Sequence, residues 1–283
     1  MPLELIDALS APGNPAKPND DAYCHAGRLA AVFDGATGIA DEDLLPGGSD
    51  AAWLARLGAE RLAAHAARLS GHDALRATAA DVEEAYVRQR SRPPAHNYET
   101  PFASMMMVES VSDGGLDAFW FGDCAALVLR PGEEAQVVGE AFGKRAAEAN
   151  AAARLAATHG INPAGATVRR PFLEAQRASR ARYNTEGGPW VFGPTRHCAD
   201  QVSRGAAAAP SGALVLLASD GFLALGTDYL RYDASGLVRA ARDKGLAVLL
   251  DELRAIEQDD AEGVRYPRFK TSDDATAVLL RAV

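Results

Sequence analysis

Cysteine is scarce in this sequence. Its 283 residues include only Cys24, Cys124 and Cys198, an odd number with no C-x-x-C pair. That argues against a disulfide framework and against a thiolate zinc site. Long apolar runs are missing as well. No stretch approaches the ~20 apolar residues a membrane helix needs, and Met1 to Lys17 shows no basic segment followed by an apolar run. Neither a membrane span nor a secretory signal is expected, and the expected setting is the cytoplasm. Positive charge is in deficit, with a formal net charge of -9. An acidic surface repels a phosphate backbone, so nucleic acid is a poor partner. Internal repeats and low-complexity tracts are also lacking.

What is present reads as a globular α/β mixture. Hydrophobic residues make up 48% and charged residues 24%, ordinary values for a chain that buries a large core. One domain over 1–283 is expected, acting as a monomer. Residues 1–18 read as an irregular lead-in rich in Pro, Gly and Ala. Leu29 to Phe33 is an apolar strand that runs into Asp34-Gly35. Ser49 and Asp50 predict a helix start near Ala51, and a second helix spans about Asp73 to Arg90. Phe102–Glu109, Leu116–Gly122 and Ala125–Arg130 predict an antiparallel meander. Residues 140–159 read as helical, and 160–212 as a loop-rich insertion. The strand Ala213–Ala218, a helix from about Ser235 to Glu257 and a last strand Thr276–Leu280 follow.

Aspartates recur where these strands begin or end. Asp34 and Asp220 close apolar strands, Asp123 sits at a strand turn, Asp273 and Asp274 precede the last strand, and Asp20 and Asp21 precede the first. If the strands are neighbours, their ends converge on one cleft. Convergent carboxylates repel unless cations neutralise them. Oxygen-only ligands favour hard ions such as Mg²⁺ or Mn²⁺. Two ions about 4 Å apart can activate a water and clamp a phosphate. Each Asp-Gly taken alone is first of all a turn signal.

Five segments lie in a recognisable order: Asn19-Asp20-Asp21-Ala22, Val32-Phe33-Asp34-Gly35-Ala36-Thr37-Gly38, Phe121-Gly122-Asp123-Cys124, Leu217-Ala218-Ser219-Asp220-Gly221 and Asp273-Asp274-Ala275-Thr276. Together they resemble the motifs of the type-2C, or PPM, metal-dependent serine/threonine protein phosphatases. The resemblance spans 17–283 and is weak over 140–212. It implies an α+β fold, a four-layer αββα sandwich of two antiparallel β-sheets packed face to face and flanked by helices. It also implies two divalent cations, Mg or Mn. Asp34 would bridge them, the Gly35 carbonyl would bind one, and Asp220 and Asp273 the other. Asp123 would match a weaker third site, and Asp20 and Asp21 would position water. The implied substrate is phosphoserine or phosphothreonine on a protein. The alternatives are a small phosphate ester, or a catalytically weak relative that binds a phosphorylated partner.

Three positions depart from the family, one of them Asp274, which stands where the family has an asparagine and adds a negative charge. The family's histidine after Asp-Gly is Ala36 here, and its phosphate-binding arginine falls on Ala16, with Lys17 the neighbouring candidate for the substrate phosphate. Arg177, Arg180 and Arg182, together with Lys144 and Arg145, read as a solvated helix face, or alternatively as a flap that orients an anion. Met105-Met106-Met107 reads as core, and Trp190 and Phe192 as cleft wall or loop anchor.

Overall fold

Alternation along the strands assigns the layers. In β4 (Ala103–Ser110), Met105 and Met107 pack against helices while Met106 faces a second sheet, and all three are fully buried. The period of two in a strand requires this division. The computed structural model describes residues 2–141, 169–268 and 270–283.

The described residues form two five-stranded sheets, antiparallel throughout. The first has the order β1 (Leu3–Ala11), β10 (Ala275–Ala282), β9 (Leu214–Ala218), β6 (Ala125–Leu129), β7 (Gln136–Val138). The second runs β2 (Asp21–Ala26), β3 (Leu29–Gly35), β4, β5 (Gly115–Phe121), β8 (Ser203–Ala208). Between them lie Ala30, Val32, Met106, Val215, Leu217 and Val278. Helices α1 (Asp50–Ala66) and α2 (Gly71–Gln89) cover the outer face of the second sheet through Leu54, Leu62, Leu75 and Val82. The first sheet is covered by α4 (Asp220–Thr227), α5 (Ala234–Lys244) and α6 (Leu246–Asp259), through Phe222, Leu237, Leu249 and Leu253. The helix–sheet–sheet–helix layering is the one expected. A further helix, α3, spans Arg169–Arg180. No helix among the described residues is long and apolar enough to cross a membrane.

Several local expectations need correction. The lead-in contains β1, an edge strand paired with β10, whose alternation is interrupted by a bulge between Leu5 and Asp7. The meander is broken after β5, because β6 crosses into the other sheet and pairs with β7 and β9. The single helix over 235–257 is two, separated at Gly245 with φ +86°. Asp7 reaches across from β1 and accepts from Leu246 N at 2.8 Å, which satisfies a free amide of the second helix. The insertion carries α3 and β8, while the helix expected over 140–159 falls almost wholly outside the described residues.

Candidate metal centre

Antiparallel pairing of β2 with β3 sets Asp21 directly opposite Asp34. Like charges in that position are destabilising on an ordinary sheet. The next strand places Ser104 opposite Asp34. Ser104 Oγ donates to Asp123 Oδ1 at 2.7 Å and fixes the third carboxylate at the β5–β6 turn. Gly122 makes that turn possible. Its φ is +71°, and a Cβ there would lie 2.1 Å from Ser104 Oγ. Asp220 arrives from the other sheet as the first residue of α4, directly after β9 and Ser219. One carboxylate oxygen from each of Asp34, Asp123 and Asp220 lies within 4.8 Å of the others.

Asp20 and Asp21 are also buried; Asp21 feels the charges of Asp274 and Asp220, and Asp20 those of Asp274 and Lys270. Ser49 Oγ, at the N-cap of α1, donates to Asp20 Oδ1. Ser219 Oγ donates to Asp21 Oδ2 at 2.8 Å and accepts from Thr276 N at 2.9 Å. Gly35 ends β3, and its N–H donates to the Asp20 carbonyl at 3.1 Å. A Cβ at Gly35 would lie 2.4 Å from that carbonyl oxygen and 2.9 Å from the carbonyl of Ala51, so only glycine allows this approach.

Asp273 and Asp274 lead into β10 and diverge in role. Asp274 accepts from Gly13 N at 2.7 Å and Asp20 N at 2.6 Å, which ties the extra carboxylate of this motif to backbone amides. Asp273 Oδ1 accepts from Lys270 Nζ at 2.7 Å. Lys270 also donates to Thr37 Oγ1 at 3.0 Å, in the loop that follows Asp34-Gly35.

The electrostatics follow from this crowding. Burial, then the charges of Asp220, Asp21, Asp123 and Asp273, push the Asp34 carboxyl well above its ordinary range. Asp21 is pushed up by burial despite the hydrogen bonds from Ser219 and Thr276. Burial likewise raises Asp20 and Asp273, against the hydrogen bond from Ser49 and the charge of Lys270 respectively. Burial alone would lower the Lys270 ammonium, but Asp273, Asp34 and Asp220 raise it. Cys124 beside the cluster is held well above its usual range by burial, then by Asp34, so it is a protonated, inert thiol. The all-oxygen donor set and the strain of so many partly or fully buried acids fit a hard divalent cation.

Of the residues singled out in the sequence, Asp20, Asp21, Asp34, Gly35, Asp123, Asp220 and Asp273 all belong to this one region. Lys17 is exposed in a turn closed by its own N–H to Asn14 O. Lys270, whose ammonium reaches Asp273, was not singled out, nor was Ser104; Ser49 was read only as a helix start and Ser219 only as part of a motif, yet all three serines orient the acids. The arginines of α3 are not a solvated face. Arg180 donates to Thr37 O at 2.7 Å, and Arg177 donates to Ile39 O at 2.9 Å and pairs with Asp41 at 2.7 Å, so α3 is fastened to the loop after Asp34-Gly35. Phe192 is an anchor, fully buried and edge-on to Phe33 at 5.1 Å between ring centroids.

The chain has the fold of the PPM-type serine/threonine phosphatases. It resembles the Mycobacterium tuberculosis phosphatase PstP/Ppp with a TM-score of 0.58 at 16% identity, over 99% of each chain. It resembles the PPM Ser-Thr phosphatase MsPP of Mycobacterium smegmatis at 0.55 and 18%, over 99% of this chain and 100% of that one. The PstP catalytic domain in complex with two manganese ions matches at 0.56 and 17%, over 100% of this chain and 99% of that one. No family model and no curated protein sequence matches the chain.

Proposed function

We propose that this chain is a metal-dependent phosphatase, one PPM-type domain over 1–283, that removes phosphate from phosphoserine or phosphothreonine on proteins. The observation that carries the reading is the convergence of Asp34, Asp123 and Asp220 on a fold that in PstP holds two manganese ions. Two cations, Mg²⁺ or Mn²⁺, are proposed, held by Asp34, the Gly35 carbonyl, Asp220 and Asp273, with Asp123 at a weaker third position. When bound, such ions supply positive charge to the phosphoryl oxygens and activate water for in-line attack.

The chain's own residues do the rest. Asp20 and Asp21, pinned by Ser49 and Ser219, orient the attacking water. Arg177 and Arg180 of α3 hold the loop beside the acids through the carbonyls of Ile39 and Thr37. Ala36 has no proton to give a departing oxygen. The enzyme is proposed to act as a cytoplasmic monomer. A pure binding protein has no use for this many buried carboxylates brought to one place, and their convergence supports catalysis. The test is a panel of phosphoproteins, phosphopeptides and small phosphate esters, assayed with Mn²⁺ and with Mg²⁺. Turnover of the phosphopeptides that EDTA abolishes is expected. Turnover confined to small esters points to a metabolite phosphatase, and no turnover with either metal overturns the reading.

A further inference from the structure

Among the described residues, the ammonium of Lys270 sits beside the acids, and its partners come from opposite ends of the chain. Lys270 Nζ donates to Asp273 Oδ1 at 2.7 Å and to Thr37 Oγ1 at 3.0 Å, a contact across 233 residues. The half-exposed lysine therefore bridges the loop before β10 and the loop after β3, at the lip of the carboxylate cluster. An ordinary surface ion pair at spacing i, i+3 would need no such second anchor. The acids divide into two sets. Asp34, Asp123 and Asp220 come within 4.8 Å of one another, and Asp273 is not of that group. Its Oδ1 is taken by Lys270 and by Asp274 N, at 2.7 and 3.0 Å.

We propose that Lys270 is a resident counter-cation: it neutralises the Asp273 side of the cluster in the metal-free protein and has to give up Asp273 before a divalent ion can bind there. The inference rests on the metal-dependent reading above. Its logic is linkage. An interaction made only in the metal-free state stabilises that state and weakens metal binding by the same free energy. An ammonium close to the position of a doubly charged ion also repels it directly. A lysine suits this role because its ammonium is a compact charge on a flexible stem, able to swing away once displaced. The lysine thus sets the cation concentration at which the Asp273 side fills.

The experiment is calorimetric titration of Mn²⁺ into the EDTA-stripped full chain, for wild type, Lys270→Gln and Lys270→Arg, with melting curves of each in EDTA. Glutamine keeps a donor for Thr37 and removes the charge. Lys270→Gln is expected to lower the melting temperature without metal and to tighten one Mn²⁺ binding step roughly tenfold or more, within the usual range of coupling between sites. Lys270→Arg keeps the charge and is expected to behave like wild type in both measurements. Equal or weaker Mn²⁺ binding by Lys270→Gln, with wild type binding normally, overturns the role of Lys270 and leaves the metal reading standing. Absence of binding heat in all three proteins removes the metal reading and this inference with it.

Discussion

Ser219 Oγ donates to Asp21 Oδ2 at 2.8 Å, joining residues 198 positions apart, one in β2 and the other just past the end of β9 in the opposite sheet. The same hydroxyl accepts from Thr276 N at 2.9 Å. One oxygen thus holds the buried carboxylate of β2 and the first turn of backbone into β10. Ser219→Ala leaves both partners without this contact in a buried setting. The expected cost is about 1–3 kcal/mol, the usual penalty for stranding buried polar groups. Urea unfolding of wild type and variant measures it, and a difference below the error of the extrapolation would mean that water replaces the hydroxyl.

Asp34→Asn should have opposite effects with and without metal. Its folded pKa is raised, so the unfolded carboxylate ionises first and the native state loses stability as pH rises above about 4. At neutral pH that loss is in force. An amide removes the charge, and the variant is expected to melt higher than wild type in EDTA. In Mn²⁺ the order reverses, because wild type gains by mass action and the variant does not. Activity should fall to background. Melting curves at pH 7 with EDTA and with millimolar Mn²⁺ decide it; parallel curves in the two buffers would refute the crossover.

Asp260 follows the opposite sign. Burial would raise its carboxyl, but the N–H groups of Arg265, Tyr266 and Val264, together with Arg268, hold it down at about 2. A depressed folded pKa gives stability that is complete above the unfolded value near 4 and disappears as pH falls toward 2. Asp260→Asn is therefore expected to destabilise clearly at pH 6 and much less at pH 2.5. Chemical denaturation at the two pH values reads the difference, which must shrink in acid.

Ala36 bears on the leaving group. Charge grows on the departing oxygen in a loose phosphoryl-transfer transition state. A serine alkoxide needs a proton, and a positioned acid contributes roughly 10²–10⁴-fold to such steps. A phenolate, with a pKa of ~10 or lower, needs it less. The enzyme is expected to favour aryl over alkyl phosphates, and Ala36→His to narrow that preference by speeding the alkyl ester. Turnover of a phosphoserine peptide and an aryl phosphate by both proteins is the measurement. Equal acceleration of the two esters would show that the proton already comes from elsewhere.

The acids were legible in the sequence because each follows or precedes a short apolar run that could only be a strand end; Asp34 after Leu29–Phe33 and Asp220 after Leu214–Ala218 are examples. Their convergence followed from family order rather than from periodicity. What stayed hidden depends on tertiary choice. β1 escaped notice because an edge strand needs no continuous apolar face, and the bulge at Leu5/Asp7 breaks its alternation. The crossing of β6 between sheets leaves no local trace, since Ala125–Leu129 reads the same as a hairpin partner of β5. Gly245 passed as a glycine within one helix until its positive φ showed the break. Lys270 looked like any lysine in a polar loop, and only the approach of Thr37 distinguishes it.

Asp34 belongs to one sheet and Asp220 follows a strand of the other, while the surfaces between the sheets are lined by aliphatic side chains such as Val32, Val215, Leu217 and Val278. Such side chains resist separation far more than sliding. An ion gripped by both aspartates would serve as a rivet through that slip plane, and chelation would withdraw it. Amide exchange should then quicken first at the strand ends near Asp34 and Ala218, so that loss of the metal is felt as shear between the layers before it is felt as unfolding.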